Sequence, residues 1–186
     1  KTSLHKGFEI IHDIPAKTGN IAKSRYASLI DNAKSEILIE TPYFIPPMLI
    51  RRAIKRAIKR GVDVKILLPF MSDVRIIDII RNRYLGSLNK AGVKIFYYKP
   101  KILHSKLLIV DNDFFLLGSS NLDYRSFTRD FQLNLLGINK EIISGLKKFY
   151  ETGLKNSVPF SYSEWKKRSS FTRLLEMLFF YIKEHL

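Results

Sequence analysis

The chain has 186 residues, no cysteine and a net charge of +15, from 32 Lys+Arg against 17 Asp+Glu. This is the length of one ordinary domain that can bury a core, and the charge points to an anionic partner, either nucleic acid or an anionic membrane surface. Disulfides and thiolate metal sites are excluded, His5, His12, His104 and His185 form no H-E-x-x-H pair, and no uncharged run of about 18 residues reads as a transmembrane helix.

The first residue is Lys1 rather than Met and no signal-peptide pattern follows it, so a piece of a longer protein is expected. Residues 7–11 alternate enough for a short strand, with His5 and His12 as surface residues beside it, and residues 15–20 read as a loop. Ile21, Tyr26, Leu29, Ile30 and Ala33 recur at helical spacing, which predicts a helix lying on a sheet. Residues 36–41 (EILIET) form a strand, broken by Pro42-Tyr43-Phe44-Ile45-Pro46-Pro47, whose prolines suit the opening of a helix.

That helix, over 48–60, is amphipathic. Ile50, Ala53, Ile54, Ala57 and Ile58 make one face; Arg51, Arg52, Lys55, Arg56, Lys59 and Arg60 make the other, without an acid, and suit an anionic lipid surface. Gly61 ends it, and residues 62–68 (VDVKILL) form the next strand. Strand, helix and strand at this spacing predict a parallel pair. Residues 74–90 repeat the helical pattern, Gly92 closes it, and residues 93–98 form a further strand that leads through a loop over 99–102.

The following stretch, His104 to Asn121, reads H-x-K, four residues, Asp111, six residues, Gly118-Ser119-x-Asn121. On a strand, His104 and Lys106 share a face because side chains alternate with period two. An imidazole beside an ammonium suits attack on a phosphodiester, the first as nucleophile or acid, the second holding phosphoryl oxygens. Residues 107–110 and 114–117 read as two strands joined at Asn112-Asp113. Gly118, Ser119 and Asn121 offer a small-residue turn with polar groups for a phosphate. Residues 127–138 alternate loosely and predict a strand, with Asp130 and Gln132 on one face. Residues 141–156 predict a helix, 159–163 a break, and 164–186 a basic and apolar segment with Trp165, Lys166, Lys167, Arg168 and a run apolar nearly all round at 174–182. That run suits either a core helix or an interfacial one with Trp165 and the lysines at headgroup level.

The His104–Asn121 spacing resembles the signature of the phospholipase D superfamily, named HKD after its marker residues. TPYFIP at 41–46, RGVDVKILLP, AGVKIFYY, NLDYRSF at 121–127 and W-x-K-R…R-L-L-E at 165–176 resemble the bacterial cardiolipin synthases within it. The resemblance covers most of the chain, from about Phe8 onward. It implies an α/β fold, an α-β-α sandwich with a mixed, largely parallel central sheet. It implies a catalytic domain over 1–160 with one HKD motif, and a segment over 161–186 that packs on the domain or at the membrane surface. It also implies a phosphatidyltransferase that cleaves a phosphatidylglycerol-type phosphodiester through a phosphohistidine, at a bacterial cell membrane, peripheral on its cytoplasmic face or anchored through a missing segment. No metal or other cofactor is required by such chemistry.

By the same resemblance His104, Lys106 and Asp111 mark the catalytic motif, with Asp111 acting structurally. Ser119 and Asn121 hold the phosphate, and Tyr43 and Phe44 lie at the site rim. The family pattern carries Asn-Phe-Glu where this chain has Asp130-Phe131-Gln132, and its Glu orients the catalytic histidine. Gln132 accepts through its amide oxygen but cannot stabilise an imidazolium by charge, and Asp130 is a partial substitute. The amide leans His104 toward the nucleophile role, whereas a C-terminal-half histidine in this family is usually the acid; both assignments stay open. H-x-K occurs once, at His104 and Lys106, while the family site uses two. The second comes from a missing N-terminal half or a homodimer mate. The alternative is a homodimeric nuclease of the same superfamily, with the cations lining a nucleic-acid channel.

Overall fold

The computed structural model describes residues 5–15, 20–100 and 102–181. The loop expected over 15–20, the centre of that over 99–102 and the end of the chain past Tyr181 fall in part outside these residues.

An eight-stranded sheet carries helices on both faces, in the order β1-β7-β6-β5-β2-β3-β4-β8. In chain order, β1 (Phe8–Asp13) leads to α1 (Ile21–Asn32), and β2 (Glu36–Glu40) leads to α2 (Met48–Lys59). Strand β3 (Asp63–Pro69), helix α3 (Arg75–Lys90) and strand β4 (Lys94–Tyr98) follow. The signature forms β5 (Leu107–Val110) and β6 (Phe114–Gly118). The remainder comprises α4 (Tyr124–Thr128), β7 (Gln132–Gly137), α5 (Lys140–Lys155), β8 (Ser157–Pro159), α6 (Tyr162–Lys166) and α7 (Ser170–Phe180).

Alternation along the central strands sorts their side chains into two cores. Ile37, Ile39, Val64, Ile66, Leu68, Leu108 and Val110 join a core with Tyr26, Ile30, Ile54 and Leu85 of α1, α2 and α3. Leu38, Leu67, Leu107, Ile109 and Phe115 face the other way, onto Ile143 and Tyr150 of α5. Strands buried on both faces must be apolar throughout, as ILLP and LLIV are. The sheet is mixed, as expected, but its parallel part is confined to β2–β3–β4. All other pairings are antiparallel, because the signature is a tight hairpin and β7 returns beside it.

Three local expectations change. Residues 127–138 are not one strand: Asp123 caps α4 by accepting from Ser126 N at 2.7 Å, and β7 begins only at Gln132. Asp130 therefore precedes the strand and shares no face with Gln132; it accepts from Arg125 Nε at 3.1 Å. In the break after α5, residues 157–159 pair antiparallel with β4 and close the sheet edge.

The segment after Phe160 packs on α3. Trp165 packs on α3: its indole Nε1 donates to Asn82 O at 2.9 Å, and its ring lies so close to Gly86 that a Cβ there would sit 2.2 Å away. Arg168 stacks over that ring at 3.7 Å and pairs with Glu176 at 2.8 and 3.1 Å, drawing the only acid of α7 inward. The opposite stripe of α7, Phe171, Leu174, Met177, Leu178 and the following Tyr181, is exposed. The helix is thus neither wholly core nor wholly free.

Candidate functional site

Strand β5 runs antiparallel to β2, with Leu107 opposite Glu40. The residues before β5 therefore stand at the end of the sheet where β2 and β3 finish and where β6 finishes. His104 and Lys106 are not on the ladder, which begins at Leu107; Lys106 O accepts from Gly118 N at 3.2 Å, the first backbone tie. Alternation nonetheless continues upstream. Leu103 joins Leu107 and Ile109 in the α5-side core, so His104 and Lys106 share the parity of Leu108 on the other face.

His104 is exposed, and its ring stands perpendicular to that of Tyr43 at 6.5 Å between centroids. Lys106 is 8% exposed, and its ammonium donates to His104 O at 2.7 Å. Burial lowers the Lys106 pKa, and the charges of Asp73 and Asp123 oppose that shift. A desolvated ammonium attracts phosphoryl oxygens more strongly than one in bulk water.

Two carboxylates missed at the level of sequence thus belong to the site. Asp73 accepts from Tyr43 Oη at 2.8 Å, and burial followed by this bond pushes the phenol up to about 12. Asp123 is 5% exposed, and burial pushes its carboxyl up to about 6. Its signal was readable as Asp-x-x-Ser, an N-cap pattern.

The loops after β2 and β6 lock together. Ile45 N donates to Leu122 O at 2.9 Å, and Phe44 bridges to Leu122. That pairing turns the Phe44 ring inward to full burial, so Phe44 is core, not rim; Tyr43, its neighbour, points to the site. Gly118 is required because a Cβ would lie 2.4 Å from Leu133 O. Ser119 Oγ donates to Gln132 Oε1 at 2.5 Å and accepts from Leu133 N at 2.9 Å. Gln132 thus spends its amide oxygen on Ser119 rather than on His104. Asn121 N donates to Ser126 Oγ at 3.2 Å, while its buried side-chain oxygen lacks a partner among the described residues.

Asp111 lies at the far end of β5. Its carboxylate accepts from Lys34 N and Ser35 N at 2.7 Å, Glu36 N at 2.9 Å and Ser35 Oγ at 2.9 Å. Burial opposes its charge, but these donors outweigh it and hold the pKa below the ordinary carboxylate value.

A cavity of about 220 Å³ opens beside His104, lined by Glu40, Tyr98, Leu103, Ser105 and Thr152 among others. A larger groove of about 560 Å³, with Phe70, Met71, Arg75 and Tyr97, includes neither His104 nor Lys106.

The family model described as cardiolipin synthase, PLD-like domain, matches residues 26–152. A cardiolipin synthase of Clostridium perfringens (strain SM101 / Type A) is 34% identical over 172 residues, which is 92% of this chain and 36% of that protein. The major cardiolipin synthase ClsA of Bacillus subtilis is 32% identical over 170 residues, 91% of this chain and 35% of that one. The chain spans about a third of the length of these relatives. Among solved structures, the phosphatidylserine synthase of Haemophilus influenzae superposes with a TM-score of 0.80 at 16% identity, over 96% of this chain and 48% of that one. The phospholipase D family member Nuc of Salmonella typhimurium gives 0.68 at 23% identity, over 82% and 99%.

Proposed function

Because the chain belongs to the phospholipase D-like domain family of the cardiolipin synthases, we propose that it supplies one half of a two-motif phosphatidyltransferase site. The carrying observation is the exposed His104 beside the buried Lys106 ammonium, with Tyr43, Asp73 and Asp123 around them. In the first step one imidazole nitrogen attacks phosphorus of a phosphatidylglycerol-type lipid. The P–O bond to the headgroup glycerol breaks, and the histidine of whichever motif did not attack protonates the leaving oxygen. In the second step that histidine takes a proton from a lipid hydroxyl, whose oxygen displaces the phosphohistidine. One residue cannot serve as neutral nucleophile and protonated acid at once, so two motifs are needed. The second is assigned to an N-terminal half or to a homodimer mate. Lys106 neutralises phosphoryl oxygens, Asn121 and Ser119 line the phosphate, and Asp111 braces the fold. His104 serves as nucleophile or as acid.

The site works at a membrane surface on this reading, either peripheral on the cytoplasmic face of a bacterial membrane or anchored by a further segment. Of the six cations on α2 and its C-cap Arg60, three are engaged within the chain: Arg56 with Asp31, Arg60 with Ile30 O and Ala33 O, and Arg51 with Pro46 O and the Tyr84 ring. Arg52, Lys55 and Lys59 stay exposed. Residues 161–186 act as the accessory segment; its helices α6 and α7 dock on α3 by one face, with the apolar stripe of α7 turned to lipid.

Trapping the phosphoryl intermediate on phosphatidylglycerol vesicles and mapping it tests the chemistry. Phosphate on either motif histidine with cardiolipin formed supports the reading; hydrolysis of DNA with no lipid product defeats it. Binding to anionic vesicles should weaken as salt rises. Leu174→Ser with Leu178→Ser should weaken it further, with an unchanged melt.

A further inference from the structure

Residues 102–106 carry the reactive side chains yet lie outside the β ladder. What fixes the segment from behind is Ser105, whose hydroxyl donates to Glu40 Oε1. Ser105 falls between His104 and Lys106 and has the parity of Leu103 and Leu107, so it points to the α5 side while its neighbours point to the site. Glu40 ends β2 opposite Leu107 and is 4% exposed. An acid at the buried end of a central strand is costly without a partner, and the other carboxyl oxygen, Oε2, has none among the described residues. Helix α5 closes over it: a Cβ on Gly153 would lie 2.7 Å from Leu67 and 3.9 Å from that oxygen. The cavity behind the motif is lined by Glu40, Ser105 and His104 together.

We propose that Glu40 is a positioning residue, which acts through Ser105 to hold His104 and Lys106 in the geometry of phosphoryl transfer. Nothing else ties the Ser105 side chain to the sheet among the described residues, and a loose segment would let the imidazole move relative to the Lys106 ammonium. A displacement of about 1 Å is enough to cost on the order of 100-fold in rate. The tie needs an acceptor on Glu40, not a charge. Burial raises the Glu40 pKa, and Tyr150 of α5, whose hydroxyl is raised by burial and then by Glu40, is itself buried with no partner among the described residues. Glutamine copies the shape of the carboxyl and keeps an acceptor oxygen for Ser105.

The inference rests on the reading of His104 and Lys106 as phosphoryl-transfer groups, and the experiment separates the two. In the enzyme expressed from its natural reading frame, kcat, KM and the melt are measured on phosphatidylglycerol vesicles for Ser105→Ala, Glu40→Leu, Glu40→Gln and His104→Ala. Ser105→Ala and Glu40→Leu should lower kcat about 10- to 100-fold with KM within about threefold. Glu40→Gln should rescue kcat to within about fivefold of wild type. Wild-type kcat in Ser105→Ala, with turnover lost in His104→Ala, overturns this inference alone. Glu40→Gln as damaging as Glu40→Leu also overturns it, because charge rather than the tie would then matter. Retained turnover in His104→Ala overturns the phosphoryl-transfer reading and this inference with it. If Glu40→Leu does not fold, Ser105→Ala, which removes a single oxygen, decides.

Discussion

The two ends of β5 carry the signature residues and use them in opposite ways. At the exit, Asp111 is surrounded by donors: three backbone N–H groups and a hydroxyl converge on its carboxylate. At the entry, the His104 ring is exposed and stands perpendicular to the Tyr43 ring, with no hydrogen bond to its side chain among the described residues. A polar group with its hydrogen bonds filled holds a fold together; one left open at a sheet end is available to substrate. The same short motif thus contains a structural acid and a reactive pair, and substitution should separate them.

The largest effect is expected at the entry. His104→Ala should abolish lipid transfer while the melt stays within about 1 °C, since the variant loses an exposed ring and no hydrogen bond. Lys106→Ala should cost about 100- to 1000-fold, because phosphoryl charge would be left unneutralised in a partly dry site. Transfer within about tenfold of wild type for either variant would erase the contrast between the two ends.

At the exit the consequence should be loss of stability. Asp111→Ala leaves Lys34, Ser35 and Glu36 N–H groups without their acceptor, at a cost of about 2 kcal/mol after allowance for solvent. Turnover per folded molecule should survive. The pKa of Asp111 is lowered on folding, so its contribution is full above the unfolded value of about 4 and disappears as pH falls through the folded one. Chemical melts of wild type and Asp111→Ala should therefore converge in acid. A constant gap at every pH would mean that the hydrogen bonds do not depend on the charge.

Asp123 has the opposite sign. Its carboxyl is raised to about 6, so the folded state holds the proton more tightly than the unfolded chain. Stability should fall as pH rises from about 4 to about 6, then level off, by something on the order of 2 kcal/mol. Asp123→Asn keeps an oxygen for Ser126 N and should flatten this decline. An unchanged slope would assign it to another group.

Much of this arrangement was legible in the chain. Apolar strands and helices closed by Gly61 and Gly92 marked out β2, β3 and β4 and the parallel order of β2 and β3, because local pattern and crossover length suffice for that. The hairpin was readable from LLIV, FFLL and the turn between them, where Asp111 and Asn112 take φ of 54° and 56°. What escaped depends on distant partners. The three residues of β8 have no periodicity and pair only because α5 returns them beside β4. Phe44 is buried because a loop some 80 residues away clasps it. Asp73 enters the site through Tyr43, and neither spacing nor composition ties residue 73 to residue 43. Glu40 did leave a signal, an acid at the end of an apolar central strand, but its partner is visible only once β5 is laid against β2.

The smallest effect is expected at Gln132, on the loop side of the entry. From sequence, a glutamate here should orient His104 and shift the pH profile of transfer upward. The structure gives the amide oxygen to Ser119 Oγ at 2.5 Å, and Ser119 in turn accepts from Leu133 N. Gln132→Glu preserves that bond, since a carboxylate oxygen accepts as an amide oxygen does. Its new charge would reach His104 only through space, so the profile should move by no more than about half a pH unit at ordinary salt. Gln132→Ala should cost no more than about 1 kcal/mol, because the exposed Ser119 hydroxyl keeps Leu133 O at 3.3 Å as a weaker acceptor. An upward shift of a full unit in Gln132→Glu would show that the side chain swings from Ser119 to His104 when the second motif is in place. The family's histidine-orienting contact would then be latent in this chain, and Asp130, which is occupied with Arg125, would not be needed to replace it.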